Sequence, residues 1–201
     1  MAKNGLMLFA VASIAACGAA PDSAVGPGTR SAPTATRTVQ LANSVLEIRP
    51  VRYEGSTNGY MVIDVLNPSE STQVFSAEGM YFIPEEDPSH APQRVGAVGP
   101  FTRDAEIEGA SFEDVIGVEP SKTVRLRLGV FCIDRSRPSP SNSTRFYVAN
   151  QLMPGDLTRA IYGGAKRIIL DNGGDVDASR DAIQDLVWAM RDQGRLRLQG
   201  E

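Results

Sequence analysis

The chain has 201 residues, 42% of them hydrophobic and 22% charged, so it is long enough for one domain with a hydrophobic core and a tail. Its formal net charge is −4 at pH 7, and its arginines are scattered along the sequence. Contacts with phosphate backbones need an excess of basic residues, which is absent here. Composition and charge therefore argue against nucleic acid as a partner.

The amino-terminal segment has the pattern of an export signal. Lys3 precedes an apolar run from Leu6 to Ile14 that is too short to span a bilayer, and small residues follow it. The stretch Ile14-Ala-Ala-Cys17 resembles the cleavage box of bacterial lipoprotein signals. That resemblance implies removal of residues 1–16 and lipidation of Cys17. The alternative is an ordinary secretory signal with an incidental cysteine.

Lipidation of Cys17 would make a membrane the first partner of this protein. Each buried CH₂ of an acyl chain contributes about 0.8 kcal/mol, so several chains would hold the protein on a bilayer. Gly18 follows the cysteine, where an acidic residue would indicate retention at an inner membrane. The resemblance thus implies an exported protein on the cell membrane or outer membrane, facing outward or into the periplasm.

Residues 17–38 predict a flexible tether. They are almost wholly Gly, Ala, Pro, Ser, Thr and Val, with no aromatic residue and no apolar periodicity. Such a segment cannot bury enough apolar surface to offset its ordering entropy. A coil of this length spans roughly 25 Å, which would lift a domain off the lipid headgroups.

From Val39 onward, β-branched and aromatic residues are concentrated in short runs that turn sequences separate. The predicted strands are Ser44–Tyr53, Gly59–Leu66, Thr72–Phe75, Met80–Ile83, Gln93–Val98, Phe112–Val118 and Thr123–Ile133. No helical crossover intervenes between them, which favours antiparallel pairing. We therefore predict a single domain over residues 39–201, built on an antiparallel β-sandwich of the Ig-like or Greek-key type.

The clearest of these strands carries Cys132. Along the strand, apolar residues alternate with Thr and Arg, which is typical of a strand with one face buried. The apolar set is Val124, Leu126, Leu128, Val130 and Cys132. Prolines and small polar residues follow in Arg135–Thr144, so the inward-pointing thiol of Cys132 should lie at the rim of the sheet.

After Thr144 the apolar period changes to that of helices. The first predicted helix, Asp156–Leu170, is weakened by about 1 kcal/mol at each of Gly163 and Gly164. Its predicted buried face consists of Leu157, Ala160, Ile161, Gly164 and Ile168.

A second helix, capped by Asp177, runs to about Asp192. Its predicted buried stripe is Ile183, Leu186, Val187 and Met190. This helical part, about residues 156–193, should pack against the sheet, and Arg195–Leu198 alternates like a short final strand.

Two short patterns suggest covalent chemistry. Phe131-Cys-Ile-Asp134 ends a strand, and Ile183-Gln-Asp-Leu-Val-Trp188 lies on the last helix. This pair resembles the thioester domains of bacterial surface proteins, in which a Cys after an aromatic residue and a Gln in such a helical motif form an internal thioester. The resemblance implies that Cys132 donates the sulfur and that Gln184 donates the acyl group.

The implied thioester would form when the thiolate attacks the carboxamide carbon and ammonia leaves. It would react with an amine, so the implied partner is an amine-bearing protein or surface ligand. Water must be excluded from such a bond, and the resemblance assigns that shielding to Phe131 and Trp188. The alternative is an unmodified Cys132 that acts as a small hydrophobic residue beside Gln184. The domain would then be a non-covalent binding or structural envelope protein, with contacts from loops such as Ile83–Val95.

Other chemistry is weakly indicated. A cysteine hydrolase needs a base, and the only histidine is His90, in a proline-bracketed loop. One His and one free Cys do not make a zinc site. The stretch Asp171–Asp177 hints at a calcium loop, but Val176 and Ala182 occupy positions that require Gly and Glu. We predict no enzymatic activity, no metal and no cofactor, and the sequence does not indicate an oligomeric state.

Overall fold

The computed structural model describes residues 39–40, 45–103, 115–193 and 198. The predicted signal 1–16, the lipidation site Cys17 and the predicted tether 17–38 lie outside these residues. The described residues belong to one compact unit, Ala35–Glu201. Among them, no helix is long and apolar enough to cross a membrane.

Strands precede helices along the described chain. The strands are β1 (Val39–Gln40), β2 (Glu47–Gly55), β3 (Asn58–Leu66), β4 (Gln73–Ser76), β5 (Tyr81–Pro84), β6 (Val95–Arg103), β7 (Val115–Val118), β8 (Thr123–Cys132) and β9 (Phe146–Val148). The helices are α1 (Gly155–Asp171) and α2 (Val176–Gln193). The prediction of a mainly β fold with two C-terminal helices is confirmed. β9 was not predicted, because a run of three residues is too short to show alternation.

The main sheet has seven strands in the order β1-β2-β3-β8-β6-β5-β9, and all its pairs are antiparallel. β9 at one end also contacts β2 near the other end, where the ring centroids of Tyr53 and Phe146 lie 5.5 Å apart. The sheet is therefore nearly closed. β4 and β7 form a separate two-stranded sheet.

Two hydrophobic clusters share strand β8. The inner cluster, inside the curved sheet, contains Leu128, Val130 and Cys132 of β8 together with Phe75 of β4 and Ile116 of β7. The outer cluster lies between the sheet and the helices. It consists mainly of Phe131, Ile133, Leu157, Ile161, Ala165, Ile169, Ile183 and Val187. Leu126, Leu128, Val130 and Cys132 of β8 thus face the inner cluster, and at the end of the strand Phe131 faces the outer cluster, as the pleat of a strand requires.

Both predicted helices are present, but two details of the prediction were wrong. The buried face of α1 follows Leu157, Ile161, Ala165 and Ile169, and Ala160 is exposed. The cap of α2 is Asp175, whose Oδ1 accepts a 3.0 Å hydrogen bond from the N–H of Ala178. Asp177 lies inside the helix and accepts a hydrogen bond from Tyr60 instead. Of the predicted final strand only Leu198 is described; it is buried in the outer cluster and is not part of a strand.

Candidate functional site

Cys132 is the last residue of β8, and its side chain is fully buried in the inner cluster. Opposite it on β6 lies Val95. On the other side, β3 begins at Asn58, which pairs with Phe131, so β3 has no residue opposite Cys132. The main-chain N–H of Cys132 donates to the carbonyl of Thr57 at 3.1 Å. The position of Cys132 agrees with the predicted inward direction at the rim of the sheet.

Gln184 brings helix α2 onto this end of β8. Its carboxamide oxygen Oε1 accepts a 2.9 Å hydrogen bond from the N–H of Cys132. Its Nε2 donates a 2.7 Å hydrogen bond to the carbonyl oxygen of Cys132. Gln184 is only 3% exposed, so this pair of bonds is shielded from water. The structure therefore brings the two predicted residues together, and the contact joins the side chain of Gln184 to the main chain of Cys132.

The thiol of Cys132 faces a different neighbour. Sγ donates to the carbonyl oxygen of Ser56 at 3.8 Å, and the hydroxyl of Tyr53 donates to the same carbonyl. Burial, and secondly the charge of Asp134, raise the pKa of Cys132 to about 12. Burial, and then the neighbouring Cys132, also raise the pKa of Tyr53 above its ordinary value. Because the thiolate is the nucleophilic form, Cys132 is a weak nucleophile at neutral pH.

The two predicted shielding residues lie on different sides of β8. Trp188 packs against the inner cluster, which contains Cys132. Phe131 belongs to the outer cluster, and the guanidinium carbon of Arg180 lies 5.1 Å from its ring centroid. Trp188 therefore packs against the cluster that contains the thiol, whereas Phe131 packs beneath the helices.

Polar contacts fix the amino-terminal half of α2 on β3. Arg180 donates to the carbonyl of Gly59 at 2.6 Å and to Oδ1 of Asn58 at 3.2 Å. The hydroxyl of Tyr60 donates to Asp177 at 2.9 Å. The sequence indicated Asp177 only as a helix cap and gave no role to Tyr60 or Arg180, although the spacing of Asp177 and Arg180 places both on one side of a helix. These contacts hold Gln184 in register with Cys132.

Comparisons with protein families, curated proteins and solved structures find no match to this chain.

The other candidates from the sequence have ordinary structural surroundings. His90 is exposed, and its Nδ1 lies 2.8 Å from Oγ of Ser89. In the hinted calcium loop, Gly173 and Gly174 have positive φ and follow the end of α1, while Asp175 caps α2. Within the described ranges, no three His, Cys, Asp or Glu side chains are grouped so that they could hold a metal ion.

A cavity that the sequence did not indicate opens at the segment that follows β8, residues 133–137. We call it the arginine cavity; it has a volume of about 630 Å³ and is lined mainly by Arg94, Asp134, Arg135, Arg137, Arg191 and Asp192. Arg94 forms a bidentate ion pair with Asp134, at 2.6 and 2.7 Å. Arg191 lies 4.0 Å from the same carboxylate. These residues come from the position just before β6, the loop after β8 and the end of α2, which explains why sequence spacing does not reveal the cavity.

Proposed function

We propose that this protein is an exported, lipid-anchored envelope protein whose β domain acts through non-covalent contacts, with Cys132 as an unmodified buried thiol. The observation that carries this proposal is the pair of hydrogen bonds between the carboxamide of Gln184 and the main chain of Cys132. Both polar atoms of the amide already have partners there. The glutamine is thus a docking residue that ties α2 to the end of β8.

The energetics favour this interpretation over a thioester. Thioester formation would expel Nε2 of Gln184 as ammonia and leave the carbonyl of Cys132 without that buried donor. A buried polar group without its partner costs about 1–3 kcal/mol. The raised pKa of Cys132, about 12, also leaves very little thiolate at neutral pH to begin the attack. Both effects favour an unmodified Cys132 that is joined to Gln184 by two hydrogen bonds.

A second candidate function remains the covalent capture of an amine-bearing partner through a Cys132–Gln184 thioester. It is favoured by one observation, the direct contact between these residues at a buried position. In that reaction the sulfur of Cys132 bonds to the carboxamide carbon and ammonia leaves. A partner's amine then displaces the sulfur, which restores the thiol.

Intact mass spectrometry separates the two functions. The measurement uses the full-length Cys17→Ser chain, in which the lipidation site is removed. We expect the sequence mass and no adduct after treatment with methylamine. A mass about 17 Da lower, with methylamine addition at Gln184, would establish the thioester instead. The Cys132→Ala variant is the control, because it cannot form the bond under either function.

Anchoring is proposed from the segment Ile14–Cys17, and fractionation of cells tests it. The Cys17→Ser protein should move from the membrane fraction to the soluble fraction, because the acyl chains supply the attachment. Cys132→Ser is the matched control and should stay with the membrane. If the Cys17→Ser protein also stayed there, another attachment would be responsible and the anchoring proposal would fail.

We also propose that the domain is a sandwich of the Ig-like or Greek-key type. The small β4–β7 sheet contributes Phe75 and Ile116 to the inner cluster, opposite residues of the main sheet such as Ile63 and Leu126. Their membership of one cluster supports an interpretation as two layers around one core. The position of β8 between β3 and β6, far from β3 in sequence, is a connection of the kind that Greek-key arrangements contain.

A further inference from the structure

We propose that the arginine cavity binds a phosphate monoester group. Among the described residues that line it, four arginines face two aspartates, an excess of two positive charges. The whole chain has the opposite sign, with a net charge of −4. A concave site of positive charge on an acidic protein concentrates anions and distinguishes them from the rest of the surface.

The floor of the cavity is preorganised. The side chains of Arg94 and Asp134 are only 7% and 10% exposed, and their bidentate pairing fixes the guanidinium. Arg191, at 14%, lies beside the same carboxylate. Because Nε and Nη2 of Arg94 are bound to Asp134, this pair fixes the shape of the floor, and the planar guanidinium groups at the rim match the oxygens of phosphate.

The rim of the cavity is open to solvent. Arg135 is 67% exposed, with its guanidinium carbon 5.5 Å from the ring centroid of Trp188 and an amino group 4.0 Å from Asp192. Arg137 is held by the carbonyl of Pro88 at 2.9 Å. A ligand can therefore enter past Arg135 without disturbing the buried ion pair.

Charge and volume together indicate the ligand class. A phosphate monoester carries a charge between about −1.5 and −2 at neutral pH, which matches the excess of the lining. The volume of about 630 Å³ lies within the range of small-molecule sites. A soluble phosphorylated metabolite and a phosphomonoester lipid headgroup share this chemistry. The inference rests on the proposed function, because it names a ligand class for a domain that acts non-covalently.

Isothermal titration calorimetry of the full-length Cys17→Ser chain with glycerol 3-phosphate tests the site. We expect saturable binding that inorganic phosphate competes for. Arg135→Glu should weaken the binding at least tenfold, because it lowers the charge excess of the described lining from two to zero. The matched control is Arg159→Glu, a 72% exposed position on α1 with the same change of charge; it should alter the affinity less than twofold. Equal weakening by both variants would overturn the proposal.

Vesicles separate the two sources of the group. Flotation of the same chain with phosphatidic acid vesicles, against phosphatidylcholine vesicles, detects a headgroup ligand. Binding to either the soluble monoester or the phosphatidic acid vesicles, weakened by Arg135→Glu, supports the site. Binding to neither overturns it. The intact mass reports separately on Cys132 and Gln184, so a thioester would refute the proposed function without removing phosphate binding.

Discussion

At the scale of single residues, the side chain of Gln184 hydrogen-bonds the main chain of Cys132 at the end of strand β8. β8 extends one residue past the start of its neighbour β3, so on that side the N–H of Cys132 donates to the carbonyl of Thr57, which precedes β3, and Gln184 supplies the donor for its carbonyl oxygen. The carboxamide of Gln184 offers an oxygen to the N–H of Cys132 and an N–H to its carbonyl oxygen, as the main chain of a neighbouring strand would. The main chain stays satisfied where the sheet ends, and the same two bonds attach helix α2.

The Gln184→Ala variant should lower the free energy of unfolding by about 2–3 kcal/mol. It removes the donor to the buried carbonyl of Cys132 and leaves a small cavity. Urea unfolding measures the difference. Asp185→Ala is the control on the same helix, and it should change the stability by less than about 0.5 kcal/mol because Asp185 is exposed. Equal effects of the two variants would show that Gln184 is not a docking residue.

Stability should also fall at alkaline pH through Cys132. Its pKa is raised to about 12 in the folded chain from 9.0, so its stabilising contribution is complete below pH 9 and disappears as the pH rises towards 12. The expected slope is about 1.4 kcal/mol per pH unit in that window. Tyr53 adds a loss of the same sign, because its pKa is raised as well.

The comparison of wild type with Cys132→Ala removes the thiol together with its effect on the pKa of Tyr53, and both changes reduce the loss of stability at alkaline pH. The stability difference between them should shrink as the pH rises above 9. A difference that stayed constant would mean that the thiol does not titrate differently in the folded and unfolded chains.

At the scale of elements, the glycine pair of α1 has two different roles. A Cβ on Gly164 would lie 2.5 Å from Cδ2 of Leu186 on α2, whereas a Cβ on Gly163 would have no atom of the described residues within 4 Å. Gly164 therefore permits the close approach of the two helices. Gly163 carries the helix-propensity cost of a glycine without a packing benefit.

The two alanine substitutions should therefore have opposite effects. Gly163→Ala should raise the free energy of unfolding by about 0.5–1 kcal/mol, through helix propensity. Gly164→Ala has the same propensity gain, but the displacement of Leu186 should exceed it and produce a net loss of about 1 kcal/mol. Thermal unfolding of both variants beside the wild type measures this contrast. If both substitutions stabilised the protein equally, the helix contact would not depend on Gly164.

Sequence periodicity predicted the features that depend on residues close together along the chain, namely the direction of side chains and the positions of the helices. The alternation in β8 correctly indicated that Cys132 points inward, and the change of period located both helices. Contacts between distant residues left no such pattern. Arg94 and Asp134 are 40 residues apart, and their ion pair depends on the pairing of β6 with β8. The predicted face of α1 was wrong at Ala160, because Thr158 and Ala165 are buried in its place and small residues give a weak apolar signal.

At the scale of the whole molecule, strand β8 connects the two hydrophobic clusters. It lies between β3 and β6, and it contributes alternate residues to the inner cluster and Phe131 to the outer cluster. The contact of β2 with β9 further holds the ends of the sheet together. If the helices separated from the sheet, Phe131 of β8 would therefore become exposed. We expect sheet and helices to unfold in one cooperative transition.

The single tryptophan, Trp188, provides a direct test of that cooperativity. It lies on α2 and packs against the inner cluster, so its fluorescence reports on the contact between helices and sheet. In urea, the fluorescence and far-UV circular dichroism curves should coincide, as a two-state transition requires. Ile161→Ala in the outer cluster and Phe75→Ala in the inner cluster should each lower the midpoint by the same amount in both signals, for losses of about 2–5 kcal/mol. If Ile161→Ala shifted the fluorescence curve alone, the helices would be an independent unit, and β8 would not couple the two clusters.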